Sequence, residues 1–516
     1  ASVLLGLLGG SSHPLAQRPS VSAGLTDARN LRPIYDAILN ADWYEANRRI
    51  AKACPPAPLE ACLVLDAVAV WWRIQLDPDS RALDETFTMK VNAAIAAAEA
   101  WTVREPQRAE AWFYKGGAYG ARVQWRVLRA EVLSAARDGR DARDSLERAL
   151  KLNPRLADAH FGIGLYKYYA DVAPTLARMV RWLLFMPGGD RVEGLRAMHE
   201  ARNRGALLGG EADYQLHRIY LWYENSAARA LELMRGLAAA HPRNPHFVAR
   251  VAFIEDVYLH DHPASLATYQ TLLDQARLGQ VNEADSAEVV ARLGLASELD
   301  HLYETDEAIT EIRRVMAGRS AAPFGAQARA SLALGRAQER LGGRQNAVIS
   351  YRSALEFARR EGLTELADEA REAIRRPAGR SATAEAYRLA LEAWRHVQRR
   401  ELDAAGPLLA RARELDPADP VVEFRYAKLQ SARGDAAAAL TSFETVIGAA
   451  PAAPPTFRAE ACLEAGRILE SQKRLPAAAE MYRSATRITG AFAHTRDAAR
   501  RSLARVQAIV STTPAR

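Results

Sequence analysis

Apolar residues return every three to four positions through most of this chain, and β-branched residues are sparse. That period predicts amphipathic helices, from about residue 31 to about residue 510. The helices fall into pairs that share one arrangement of small and large side chains. In SLALGRAQERLGGRQNAVISYRSAL, Leu334 and Gly335 stand on the first helix, and Ala347, Tyr351 and Ala354 on the second. Another pair repeats this with Gly466, Ala478, Tyr482 and Ala485, and another with Ala427, Ala439, Phe443 and a closing Pro451. A fourth supplies Ala405, Leu409, Ala412 and Pro417. The N-terminal half keeps the same order at Gly116, Ala142, Leu146, Ala149 and Pro154, then at Gly164, Gly194, Met198 and Ala201, then at Tyr214, Ala230, Met234 and Pro242. Close packing explains the order. Small residues let two helices approach, a large residue on the second helix fills the space between them, and proline ends it.

This arrangement resembles the tetratricopeptide repeat, whose period is about 34 residues. Pro417 and Pro451 stand one full period apart. The expected fold is all-α, a tetratricopeptide-like α-solenoid of helix-turn-helix repeats wound as a right-handed superhelix. Two insertions interrupt the N-terminal half, near 120–135 and 171–188. The expected organisation is a signal-like or disordered segment at 1–29, an N-terminal repeat domain at 30–280 carrying both insertions, middle repeats at 281–376, and C-terminal repeats with a capping helix at 381–512. Residues 245–315 are expected to hold two degenerate pairs, and RRPAGRSA at 375–382 marks an internal break.

A narrower likeness covers residues 31–245. AWFYKGGAYG, followed by an apolar insertion and then by Gly189, Asp190, Arg191, Gly194 and Leu195, resembles the tetratricopeptide-39 family and its bacterial relatives. The resemblance implies the same fold and an adaptor-like role, and it implies no reaction. The asparagine and lysine set with which some tetratricopeptide proteins clamp a C-terminal carboxylate is absent from the matching positions.

The net charge of +7 comes almost entirely from arginine, which alternates with Glu and Asp instead of gathering into a stripe. That pattern fits solvated helix faces laced with i,i+4 pairs and gives no nucleic-acid footprint. A short apolar run from Val3 to Leu8, then small and polar residues with a candidate cleavage after Ala16, predicts export, most simply to a bacterial periplasm. A cytoplasmic or membrane-associated protein is the alternative. Cys54 and Cys62 flank a helix-to-helix turn and are a candidate disulfide in an oxidising compartment, with two free thiols as the alternative. Cys462 reads as a small core residue.

No catalytic, cofactor or metal motif is expected. Gly162 and Gly164 lack the third glycine and the preceding strand of a nucleotide fingerprint. His260, Asp261 and His262 are adjacent, whereas helical metal ligands sit better four apart. A partner-binding groove is easier to place. The helix phase puts Phe113, Phe161, Leu165, Tyr168, Tyr169, Gln215, Ile219, Trp222 and Tyr223 toward it in the N-terminal half, as anchors for a peptide or as buried core. Arg329, Arg336, Arg340, Lys428 and Arg467 take the matching places further on and would favour an acidic partner, or be ordinary wet surface. Trp182, Leu183, Leu184, Phe185 and Met186 form an apolar block that could dock a partner, lie in a membrane interface or pack as core.

The function expected is a non-enzymatic scaffold or adaptor, exported, that binds protein through its groove or inserted hairpin. The alternatives are an accessory subunit of a larger complex and a peripheral membrane protein using residues 172–188. Neither nucleic acid nor a small-molecule substrate is expected.

Overall fold

In the computed structural model, residues 25–172, 188–318, 323–377, 379 and 381–512 are described. They contain twenty-four α-helices and divide into two compact units, residues 1–226 and 227–516. The boundary expected at 280/281 falls inside the second unit, between helices His262–Arg277 and Ala284–His301.

The first unit runs α1 (Ala28–Leu39), α2 (Trp43–Ala53), α3 (Leu59–Leu76), α4 (Asp84–Arg104), α5 (Ala109–Leu128), α6 (Val132–Leu152), α7 (Ala159–Val172), α8 (Arg191–Arg204) and α9 (Gly209–Trp222). Each helix packs chiefly on its chain neighbour, as a helical-repeat array requires. Helices α5 and α6 have 20 and 21 residues, so the first insertion is a lengthening of one hairpin. The second insertion lies largely outside the described residues. A disulfide joins Cys54, after α2, to Cys62 in α3, with Cα atoms 6.5 Å apart.

The Gly-Asp-Arg turn after the second insertion has a clear physical basis. Asp190 caps α8 by accepting a hydrogen bond from the Glu193 amide. A Cβ on Gly164 would stand 2.7 Å from the Gly194 carbonyl oxygen, and one on Gly194 would stand 2.8 Å from that of Gly164. Only glycine at both positions lets the backbones of α7 and α8 touch.

The second unit begins with α10 (Ala227–Ala240) and α11 (Pro245–Phe253), continued by one π-helical turn (Ile254–Tyr258). Then come α12 (His262–Arg277), α13 (Ala284–His301), α14 (Thr305–Ala317), α15 (Ala326–Arg340), α16 (Arg344–Glu361) and α17 (Thr364–Arg375). After the expected break follow α18 (Ser381–Gln398), α19 (Leu402–Leu415), α20 (Pro420–Arg433), α21 (Ala436–Gly448), α22 (Pro455–Ser471), α23 (Leu475–Arg487) and the last helix, α24 (Ala493–Thr512). Proline opens α11, α20 and α22, where a missing N–H costs nothing.

The repeat grammar is visible here as contact. A Cβ on Gly335 would lie 2.3 Å from the Tyr351 ring, and one on Gly466 would lie 2.5 Å from the Tyr482 ring. Each tyrosine hydroxyl then donates back to the first helix, Tyr351 to Glu339 at 2.8 Å and Tyr482 to Glu470 at 2.7 Å. The turn between α13 and α14 is held from far along the chain. The Tyr303 carbonyl accepts hydrogen bonds from the Tyr387 hydroxyl at 3.0 Å and the Arg425 guanidinium at 2.7 Å. Phe457 packs on the Tyr303 ring, and Arg395 pairs with Glu304 and Asp306. Burial pulls the Arg425 guanidinium below its ordinary range.

Candidate functional site

In the first unit several of the apolar residues that the helix phase set toward a groove are taken into the core. Phe113 on α5 and Phe161 on α7, read from the sequence as groove anchors or as buried core, are buried, and Tyr35 of α1 and Val64 and Trp71 of α3 line the same cavity. Gln215 and Ile219 on α9 are buried with them. Glu211 marks the junction of these helices. Its carboxylate accepts from the Tyr35 hydroxyl at 2.9 Å, the Trp72 indole at 3.0 Å and the Gln215 amide at 3.3 Å. Burial nevertheless holds its pKa above the usual glutamate range, against the pull of these donors. The Asp158 carboxyl is raised for the same reason, although it accepts from the amides of Ala206, Leu207 and Leu208.

Between these groups lies a cavity of about 90 Å³, whose walls include Val64, Trp71, Phe113, Gly120, Phe161 and Glu211. Tyr114 also lines it, with a buried hydroxyl that has no hydrogen-bond partner among the described residues. Its titratable lining consists of the carboxyls of Asp158 and Glu211 and the hydroxyls of Tyr35 and Tyr114.

The remaining aromatics expected in the groove separate into two environments. Leu165 is half-buried against Phe161, Ala201 and Ala212, and Tyr168 is fully buried with its hydroxyl on Glu224. Tyr169 packs edge-on to Tyr223 at 5.6 Å. Trp222 and Tyr223 are 46% and 43% exposed, and the Arg218 guanidinium lies over the Trp222 ring at 4.8 Å. Thus Phe113, Phe161 and Tyr168 are core, while Trp222 and Tyr223 reach the surface. Trp182, Leu183, Leu184, Phe185 and Met186 lie outside the described residues.

The tip of the long hairpin is the clearest apolar surface. Val127, Leu128, Val132 and Leu133 are 62%, 36%, 58% and 59% exposed around the turn between α5 and α6. Their backbone is fixed. The Arg129 guanidinium bonds to Asp84 and to the carbonyls of Pro78 and Ser80, all at 2.7–2.8 Å. The Trp125 indole donates to the same Asp84 at 3.0 Å, and Arg126 pairs with Asp138 at 2.7 Å. The lengthening of this hairpin was legible in the sequence. The exposure of its tip was not, since exposure depends on what packs beside it.

The cations read from the sequence as contacts for an acidic partner or as ordinary wet surface are engaged within the chain. Arg336 pairs with Glu369, Arg340 with Asp300 at 3.0 Å, and Lys428 with Glu460 and Glu464 at 2.8 and 3.2 Å. Arg467 shares Glu464, and Arg329 donates to the Phe324 carbonyl at 2.5 Å. The acids that pair with Arg336, Arg340 and Lys428 lie on other helices, so these positions do not form a bare cationic stripe. His260, Asp261 and His262, consecutive in the sequence and read there as poorly spaced for a metal, do not act as one group. Asp261 caps α12, while the His262 ring turns to Asp256 and Glu298.

The packing defines a class, an all-α protein of tetratricopeptide-like repeats. No protein-family model matches the chain, and no curated protein matches it. Among solved structures it is similar to a tetratricopeptide repeat protein from Parabacteroides merdae, at 16% identity over 58% of this chain and 98% of that one, with a TM-score of 0.27. It is also similar to human IFIT1, solved as a dimer with m7Gppp-AAAA, at 12% identity over 83% of this chain and 96% of that one, with a TM-score of 0.35. Yeast Tom70 matches at 11% identity over 94% of this chain and 97% of its own, with a TM-score of 0.26. These likenesses concern the fold alone.

Proposed function

We propose that this chain is a non-enzymatic interaction scaffold that holds a protein partner through the tip of the α5–α6 hairpin. The observation that carries this is the union of exposure and rigidity at Val127, Leu128, Val132 and Leu133. Exposed apolar side chains on a fixed element can be buried by a partner at little ordering cost. Trp222 and Tyr223, backed by Arg218, offer a second anchor of the kind enriched in binding hot spots. An exported location accords with the Cys54–Cys62 disulfide and with the signal-like N-terminal segment.

A lipid surface is the second reading, favoured by the same apolar tip. None of the described helices is long and apolar enough to cross a membrane. The test is a variant carrying Val127→Ser, Leu128→Ser, Val132→Ser and Leu133→Ser, with circular dichroism to establish that it folds. Affinity purification of the wild type should recover a stoichiometric protein that the variant loses. A variant that retains every wild-type partner sinks the scaffold reading at this site. Loss of liposome flotation, with no protein partner for either form, assigns the tip to lipid instead.

A further inference from the structure

The second unit assembles four metal-ligating side chains that are scattered in the sequence. Asp256 comes from the π-helical turn, His262 from the start of α12, and Glu298 and His301 from the end of α13. One donor atom from each lies within 4.8 Å of all the others. His262 Nδ1 is 2.9 Å from Glu298 Oε2 and 3.1 Å from Asp256 Oδ1, and His301 Nδ1 is 3.9 Å from the same Glu298 oxygen. In a tetrahedral site with bonds of about 2.0–2.1 Å, donor atoms stand about 3.3 Å apart. The four groups therefore reach that geometry with small side-chain rotations.

We propose that Asp256, His262, Glu298 and His301 bind one divalent transition-metal ion of the zinc class, which clamps the π turn to the end of α13. Two imidazoles and two carboxylates are a borderline donor set, suited to zinc and its neighbours more than to magnesium or calcium. Glu298 and His301 are three apart on one helix, a spacing that presents carboxylate and imidazole on the same face. The π turn matters because it departs from α-helical register, a distortion often found at functional positions. It brings the Asp256 carboxylate to an imidazole six residues further on.

The surroundings have the form of an outer shell. Glu298 is fully buried, and its other carboxylate oxygen accepts from the Ser265 hydroxyl at 2.9 Å, which fixes the carboxylate's orientation. His301 is half exposed at the rim and gives an ion its entry. All four ligands come from the protein, so the ion's role is structural. It would anchor the residue immediately before the turn that Tyr387 and Arg425 grip at Tyr303.

The experiment uses the full chain, stripped with chelator and titrated calorimetrically with zinc alone. The expected result is one saturable equivalent per chain, with a higher thermal midpoint, and no such response to magnesium. His301→Ala and Asp256→Asn should each weaken zinc binding by at least about tenfold, and His301→Ala should leave the metal-free midpoint nearly unchanged. His301 is at the surface and Asp256→Asn preserves shape, so both variants should fold. Absence of saturable binding, or zinc affinity unchanged in both variants, would overturn the assignment and leave the cluster as a histidine held between two acids.

Discussion

At the scale of single residues, the first unit is organised around acids taken out of water. Glu211 satisfies its oxygens with Tyr35, Trp72 and Gln215, yet burial still raises its pKa. A carboxyl whose folded pKa is raised stabilises the fold most below its unfolded value. That contribution is lost as pH climbs from the ordinary glutamate range through the raised value. Glu211→Gln removes the titration while keeping an oxygen for Tyr35 and Trp72. Thermal midpoints of the two forms should therefore diverge as pH rises from about 4 to 8, with the variant gaining on the wild type. A variant less stable by the same amount at every pH would mean that the three donors keep Glu211 charged throughout. None of this was legible in the sequence, where Glu211 looks like one more charge on a helix. Its burial depends on α1 and α3, whose Tyr35 and Trp72 stand 176 and 139 positions away.

At the scale of elements, much was legible. The small-large alternation located the helix pairs because the spacing is imposed by a local crossing. Gly335 faces Tyr351 and Gly466 faces Tyr482 within one hairpin each, and both contacts carry the same glutamate-tyrosine hydrogen bond. Gly335→Ala puts a methyl group against the Tyr351 ring and should cost about 1–3 kcal/mol in urea unfolding. The gain in helix propensity offsets this by no more than about 1 kcal/mol. An unchanged or raised stability would show that Tyr351 swings aside freely. What lay between hairpins could not be seen this way. The acids that neutralise Arg336, Arg340 and Lys428 stand 32 to 40 positions off, outside any single repeat. Phase within one repeat left the aromatics as groove anchors or core and the cations as partner contacts or wet surface; only the neighbouring repeats show that Phe113 and Phe161 are buried and that Arg336, Arg340 and Lys428 have acids to pair with.

At the scale of the molecule, the chain forms two units, each with its own buried core. The second unit has a contact that simple stacking does not require, the grip of Tyr387, Arg425 and Phe457 on the turn at Tyr303. Arg425→Ala removes a charge-assisted hydrogen bond and the packing of a buried side chain. It should lower stability by about 2 kcal/mol or more and raise hydrogen exchange in residues 302–317 ahead of the rest of the unit. Exchange in that segment at the wild-type rate would show that Tyr387 alone suffices.

The same grip changes how the unit should come apart. A stack of helix pairs that touch only their neighbours loses structure from either end, and its stability is nearly a sum over pairs. Here the hydrogen bonds to Tyr303 span 84 and 122 positions of chain. Opening the pair that holds Arg425 therefore weakens a pair far behind it, and the sum over neighbours gains a term that couples distant pairs. The unit should melt as one cooperative block and refold slowly, since closing so long a loop must precede the contact that rewards it.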